Sequence, residues 1–305
     1  MDTIAYGGWE HCIRLSSGPL ELIVTADVGP RVIRCGFTGG PTLFAEIAGD
    51  MGQSGGREWR GFGGHRLWHA PEAFPRTYQP DNTPITAIEQ PDGLRLVQPT
   101  ESATGIQKEI DLTLARDQAA VTVTHRLRNH NLWAVELAAW GITMMAPGGV
   151  GILPLPPRHP HDLDHLAPTS ALALWSYTNP ADPRWTWGEH FILLRQDAAA
   201  PAPQKAGLFT PQGWAAYALD GLLFVKQFDV RPGAAYPDRG CNAELFTNHL
   251  LLEVESLGPL TRLEPGQSLE HVERWTLLRD VPVPAGDDDV VRDILPRLAS
   301  LGIGG

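Results

Sequence analysis

Leu20-Glu-Leu-Ile-Val-Thr-Ala26 and, after a turn at Gly29-Pro30, Arg31-Val-Ile-Arg-Cys-Gly-Phe37 set the first constraint on the fold. In the first run Leu20, Leu22, Val24 and Ala26 take alternate positions, the period of a strand whose side chains point to opposite faces of a sheet. The turn between the two runs makes them an antiparallel hairpin. Similar strand patterns recur over residues 93–99, 107–115, 120–128, 135–144, 190–195, 214–219, 222–230, 249–256 and 269–278. Turn sequences such as Gln90-Pro-Asp-Gly93, Leu219-Asp-Gly221 and Glu264-Pro-Gly266 join many of them. About a dozen strands with short turns predict an all-β sandwich of mostly antiparallel strands, with residues 1–305 as one domain.

Composition points the same way. The 32 glycines and 27 prolines are nearly a fifth of the 305 residues, against roughly 12% in average proteins, so turns are frequent and long helices scarce. One helical pattern remains: Val290, Val291, Ile294, Leu295 and Leu298 follow the Asp287-Asp-Asp289 run, which predicts a short helix or tail over 286–305 disturbed by Pro296. A net charge of −11 disfavours a nucleic-acid partner, whose affinity rests on Lys and Arg contacts. No stretch approaches the ~18 apolar residues of a membrane helix. Cys12, Cys35 and Cys241 are odd in number and widely spaced without a CxxC, so neither disulfides nor a thiolate zinc site is expected. A cytoplasmic protein without metal or cofactor is the expectation.

Two stretches resist a strand reading: residues 52–80, rich in Gly, Trp, His and Arg, and residues 148–183, rich in Pro and carrying His159, His161 and His165. Long irregular segments of this kind are usually functional loops. Within the first, Glu58-Trp-Arg-Gly-Phe-Gly-Gly-His-Arg-Leu-Trp-His-Ala-Pro-Glu72 packs six donor-bearing side chains into eleven residues, Trp59 to His69. If residues 65–69 are extended, His65, Leu67 and His69 share one face and Arg66 and Trp68 the other. That suits a polar sugar- or anion-binding floor. It equally suits a Gly-rich bulged strand whose imidazoles satisfy neighbouring carbonyls.

The block Tyr236 to Leu260 carries the second candidate. In an extended chain His249, Leu251, Glu253 and Glu255 lie on one face, and Leu250, Leu252 and Val254 on the other. Two carboxylates about 6.5–7 Å apart repel, which raises the pKa of at least one and suits acid/base work. On these residues alone, a solvated outer face of a sheet is the simpler account. In Glu270-His-Val-Glu-Arg-Trp275, Trp275 reads as core.

Taken together, the residues resemble the galactose mutarotase-like superfamily, which includes the aldose 1-epimerases. The resemblance rests on Tyr236-Pro-Asp238, Asn242-Ala-Glu244, Leu252-Glu-Val-Glu255-Ser-Leu-Gly-Pro259, Pro265-Gly266 and Glu273-Arg-Trp275. Toward the N-terminus it adds Gly63-Gly-His-Arg-Leu-Trp68, Pro71-Glu72 and Pro80-Asp-Asn82. It implies a β-supersandwich with a carbohydrate site on the larger sheet, and a small-molecule sugar as partner. The implied chemistry is ring opening by acid and base: Glu253 as the base, Glu255 tuning it, and His65 or His69 as the acid. Arg66, Trp68, Asp81, Asn82, Trp140 and Glu244 would then contact the sugar, with Trp185 or Trp187 as further stacking rings. One departure stands out: Ala138-Ala-Trp-Gly-Ile-Thr143, where the family carries its acid histidine, has none. Either another histidine (His65, His69, His159, His161 or His165) serves, or the fold binds a sugar or glycan without turnover. A hydrolase or lyase using Glu253 and Glu255 fits less well, because carboxylates that cleave a glycosidic bond flank it from opposite sides.

Overall fold

The computed structural model describes residues 1–303. Two sheets lie face to face. In spatial order the first runs Asp2–Tyr6, Trp9–Ser17, Leu20–Thr25, Arg31–Phe37, His65–Ala70, Val135–Met145, Leu252–Leu257, Ala243–Thr247, Gln204–Leu208 and Leu172–Leu174, with Thr261–Leu263 paired beside Val135–Met145. The second runs Trp185–Trp187, Phe191–Arg195, Val150–Pro154, Trp214–Leu219, Leu222–Phe228, Ser268–Arg279, Ala120–Asn129, Ile106–Leu114, Gly93–Val97 and Thr86–Gln90. Every strand pair is antiparallel, and the expected hairpin joins Leu20–Thr25 to Arg31–Phe37.

The main core fills the space between the sheets, with Leu22, Leu67, Val254, Leu245 and Ala206 from one meeting Val123, Phe224 and Trp275 from the other. A second apolar layer covers the outer face of the second sheet, where Val290, Ile294 and Leu298 pack on Val150, Trp214 and Val225. These three residues come from the C-terminal helix, whose middle, Val290–Ile294, is π-helical and leads into Leu295–Ser300. Pro296 lacks an N–H and crowds the preceding turn; the widened π turn is the form its disturbance takes. Among the described residues no helix is long and apolar enough to cross a membrane, and the three cysteines are free, buried thiols.

The segments that resisted a strand reading each contain strands: His65–Ala70 in one, Val150–Pro154 and Leu172–Leu174 in the other. His65–Ala70 is buried along its whole length. The loop leading into it is held by Arg31, fully buried, whose Nη1 donates to the Gly61 and Gly63 carbonyls and whose Nη2 donates to Asp81 at 2.7 Å. Gly63 and Gly64 have φ of 106° and 70°, and a Cβ there would lie 2.0 Å from the Ala45 oxygen and 2.2 Å from the Val32 oxygen. Only glycine lets the chain turn into the sheet at that point.

Candidate functional site

The outer face of the first sheet, turned away from the core, carries three rows of side chains set by strand register. Arg66, Ile142, Glu255, Glu244 and Gly207 stand opposite one another in the first. Met144, Glu253, Phe246 and Lys205 form the second, and Trp68, Trp140 and Leu257 the third. Above these rows lies a cavity of about 630 Å³. Its walls come from Trp59 and Asp50 in the 47–61 loop, Glu72 and Tyr78 in the 71–80 segment, Trp175 and Tyr177, and the 248–251 turn with His249.

At one end of the cavity Arg66 is 3% exposed, with its guanidinium over the rings of Trp59 (4.7 Å) and Trp68 (4.3 Å). Its Nε and Nη1 have no hydrogen-bond partner. A buried donor left unmade costs about 1–3 kcal/mol, so a ligand oxygen delivered here would be well received. Burial and the Arg31 charge push this guanidinium down to about 10, which still leaves it cationic at neutral pH. Trp68 stands edge-on to Trp140 (5.4 Å) and Tyr78 (5.1 Å), giving an aromatic wall beside the cation.

Toward the other end, Glu244 and Glu255 face each other across adjacent strands, an arrangement that repels if both are charged. Lys205 resolves it: its Nζ lies 2.8 Å from each carboxylate and 4.7 Å from the ring centres of both Trp140 and Trp175. Burial works against the ammonium, but Glu244 and Glu255 outweigh it and hold its pKa well above the usual range. Burial also drives Glu244 well above the carboxylate range. Glu255 accepts from Trp140 Nε1 at 2.7 Å as well, so its Oε2 is fixed while Oε1 is left free of partners.

Glu253 lies between these two ends, half-buried in the cavity wall. Burial and the neighbouring Glu255 raise its carboxyl to about 7, against the pull of Arg66 and Lys205. It is the one carboxyl here poised to exchange a proton near neutrality.

The structure therefore brings Arg66, Trp68, Trp140 and Glu253 together at one cavity, with Glu255 and Glu244 just beneath it behind Lys205. It does not bring His65 and His69 to that cavity. As the alternation of residues 65–69 requires, their rings point to the opposite face from Arg66. His65 meets His125 (Nε2 to Nε2, 2.7 Å) and Thr143 between the sheets. His69 accepts from Arg76 (2.6 Å) over a different hollow. Asp81 and Asn82 also stand away from it, Asp81 on Arg31 and Asn82 on the Glu58 carbonyl. Trp185 belongs to the core and stacks on Trp187 at 4.8 Å, on an edge strand of the other sheet.

Among the described residues one group could gather around a metal: His65, His125 and Glu273, whose donor atoms lie within 4.8 Å of one another. It sits in the core, its donors are engaged in protein hydrogen bonds, and the Lys226 ammonium is 3.1 Å from the carboxylate. A cation there would have to displace Lys226.

Solved structures share this sandwich at low sequence identity. A galactose mutarotase-like protein from Lactobacillus casei has a TM-score of 0.55 over 88% of this chain and 100% of its own, at 10% identity. A galactose mutarotase related enzyme from Lactobacillus acidophilus has 0.53 over 88% and 98%, at 7% identity. The fold is galactose mutarotase-like. A TPR-domain containing protein from Parabacteroides distasonis is also similar, with a TM-score of 0.59 over 90% of this chain and 48% of its own, at 15% identity. No protein-family model matches the sequence, and no curated protein matches it.

Lys205, Trp175 and Tyr177 complete the cavity without having been singled out by the sequence. His249 was visible there, two and four positions before Leu251 and Glu253 on the same face. It lines the cavity at the turn before Leu252–Leu257, and among the described residues it is the one imidazole that does.

Proposed function

We propose that the chain binds a monosaccharide in the cavity on the first sheet and interconverts its anomers. Glu253 takes the proton of the anomeric hydroxyl; the electron pair of that O–H forms the carbonyl at C1, and the bond from C1 to the ring oxygen breaks. His249 delivers a proton to the ring oxygen. The open-chain aldehyde turns about its C1–C2 bond and closes by the reverse steps, so no co-reactant is consumed. Arg66 supplies the donors of its unpartnered Nε and Nη1 to sugar oxygens, and Trp68 and Trp140 form an apolar wall beside the ring.

The observation that carries this reading is Glu253, a carboxyl raised to about 7 in a cavity that also holds a buried, partly unpaired guanidinium. The likeness to a galactose mutarotase related enzyme is consistent with it. Sugar recognition without turnover is the competing reading, favoured by the lack of any histidine on the Val135–Met145 strand. Anomer-exchange NMR on hexoses, pentoses and uronic acids separates the two. Accelerated exchange that falls ~10²–10⁴-fold in Glu253→Gln, and falls in His249→Ala, supports the enzyme. Binding with no acceleration supports recognition alone, and equal rates for wild type and Glu253→Gln overturn the assigned base.

A further inference from the structure

A second hollow, of about 540 Å³, lies on the far side of the 71–80 segment and shares no lining residue with the first. Its floor includes His69, and its sides include Arg76, Gln79, Asn131 and Trp133. Trp133 is 64% exposed, unusual for an indole, yet its backbone is firmly held. The Asn129 amide donates to the Trp133 carbonyl (2.9 Å) and to the Leu263 carbonyl (3.0 Å). Asn131 in turn donates its backbone N–H to Asn129 Oδ1 (2.9 Å) and its side-chain amide to the Thr104 carbonyl (2.8 Å). The ring is thus presented in the open by a rigid turn.

The polar side of the hollow is equally fixed. Arg76 donates to His69 Nδ1 at 2.6 Å and to the Pro71 carbonyl. Because His69 Nδ1 accepts, the ring proton sits on Nε2, which is 3.7 Å from Glu101 and lacks a hydrogen-bond partner although the residue is 1% exposed. Glu101 is itself occupied by Lys108 at 2.5 Å and Thr104 at 2.6 Å. Planar polar groups (imidazole, guanidinium and two carboxamides) therefore border a hollow with one exposed indole. A flat apolar ring among planar donors and acceptors matches the alternating C–H faces and hydroxyl edges of a pyranose.

We propose that this hollow is a second saccharide site, in which Trp133 stacks on a sugar ring while Arg76, Gln79 and Asn131 bond its hydroxyls. It stands independently of the reaction assigned to the first cavity. A protein partner or a second copy of the chain is the rival occupant, since Leu132 (90% exposed) and Phe74 (84% exposed) are apolar residues near by in sequence.

The test is fluorine NMR on full-length protein carrying 5-fluorotryptophan, with the Trp133 resonance assigned from Trp133→Phe, titrated with cellotriose and with maltotriose. The proposal expects the Trp133 resonance to shift saturably with at least one of them. It expects the same shift in Arg66→Ala, where the first cavity is impaired, and at least a tenfold weaker response in Gln79→Ala with Asn131→Ala. Failure of Trp133 to respond to either sugar overturns it. So does a Trp133 resonance that moves with protein concentration alone, which would make the surface a self-contact.

Discussion

The Lys226 ammonium stands 3.1 Å from the Glu273 carboxylate between the two sheets, with neither side chain exposed. The ammonium also donates to the Gly141 and Val254 carbonyls, both at 2.9 Å. The carboxylate accepts from Ser256 (2.5 Å) and Trp275 (2.6 Å). Gly141 is the residue that makes room, since a Cβ there would lie 2.3 Å from Glu273 Oε1. Removing one member of such a pair strands a buried charge, at a cost of about 3–5 kcal/mol. Lys226→Met should lose that much stability in urea unfolding, and Lys226→Met with Glu273→Leu should lose less than the two single changes added together. Simple additivity would show that the pair is not coupled.

Acid should weaken the histidine chain before it reaches the carboxylates of ordinary pKa. The His125 Nδ1 proton goes to the His271 carbonyl (3.0 Å), so His125 Nε2 accepts from His65, whose other nitrogen bonds Thr143. This chain requires neutral rings. Burial lowers His65 and His125, and lowers His271 to about 3. Unfolded imidazoles titrate near 6.5, so below that pH the unfolded state binds more protons than the folded state. The stability is complete above about 6.5 and declines as pH falls, by up to ~1.4 kcal/mol per pH unit for each ring. The raised carboxyls of Glu253 and Glu244 titrate with the opposite sign in this window, so urea midpoints measured from pH 7.5 to 5 should fall in Glu244→Gln with Glu253→Gln; a flat profile in that variant would contradict the neutral chain.

Catalysis should follow the opposite limb of a titration. With the Glu253 carboxyl raised to about 7 by burial and Glu255, its basic form accumulates as pH rises through that value. The rate of anomer exchange per kcat/KM should climb with a midpoint near 7 and then level. Arg66→Met removes a charge that favours the carboxylate, so its midpoint should move upward along with the loss of binding. An unchanged midpoint would mean that the limb belongs to another group.

Strands with one apolar face could be read directly, and the C-terminal half of the site came with them: alternate placement of Leu251, Glu253 and Glu255 identified the shared face. The strand His65–Ala70 could not be read so. Its inner side meets His125 and Thr143 and its outer side carries Arg66 and Trp68, so burial on both faces erased the apolar alternation. The two histidines looked like partners of Arg66 because sequence spacing records which residues share a face and not which face looks onto a cavity. Lys205 left no local signal: its role depends on Glu244 and Glu255, carried by strands that the chain adds only later.

Residues 71–80 form a partition with a room on each side. Glu72 and Tyr78, joined by a hydrogen bond, belong to the first, and Pro75, Arg76 and Gln79 to the second. The two hollows are therefore separated by the thickness of a single ten-residue segment, so a substitution in it at Glu72 or Tyr78 touches the first and one at Arg76 or Gln79 the second.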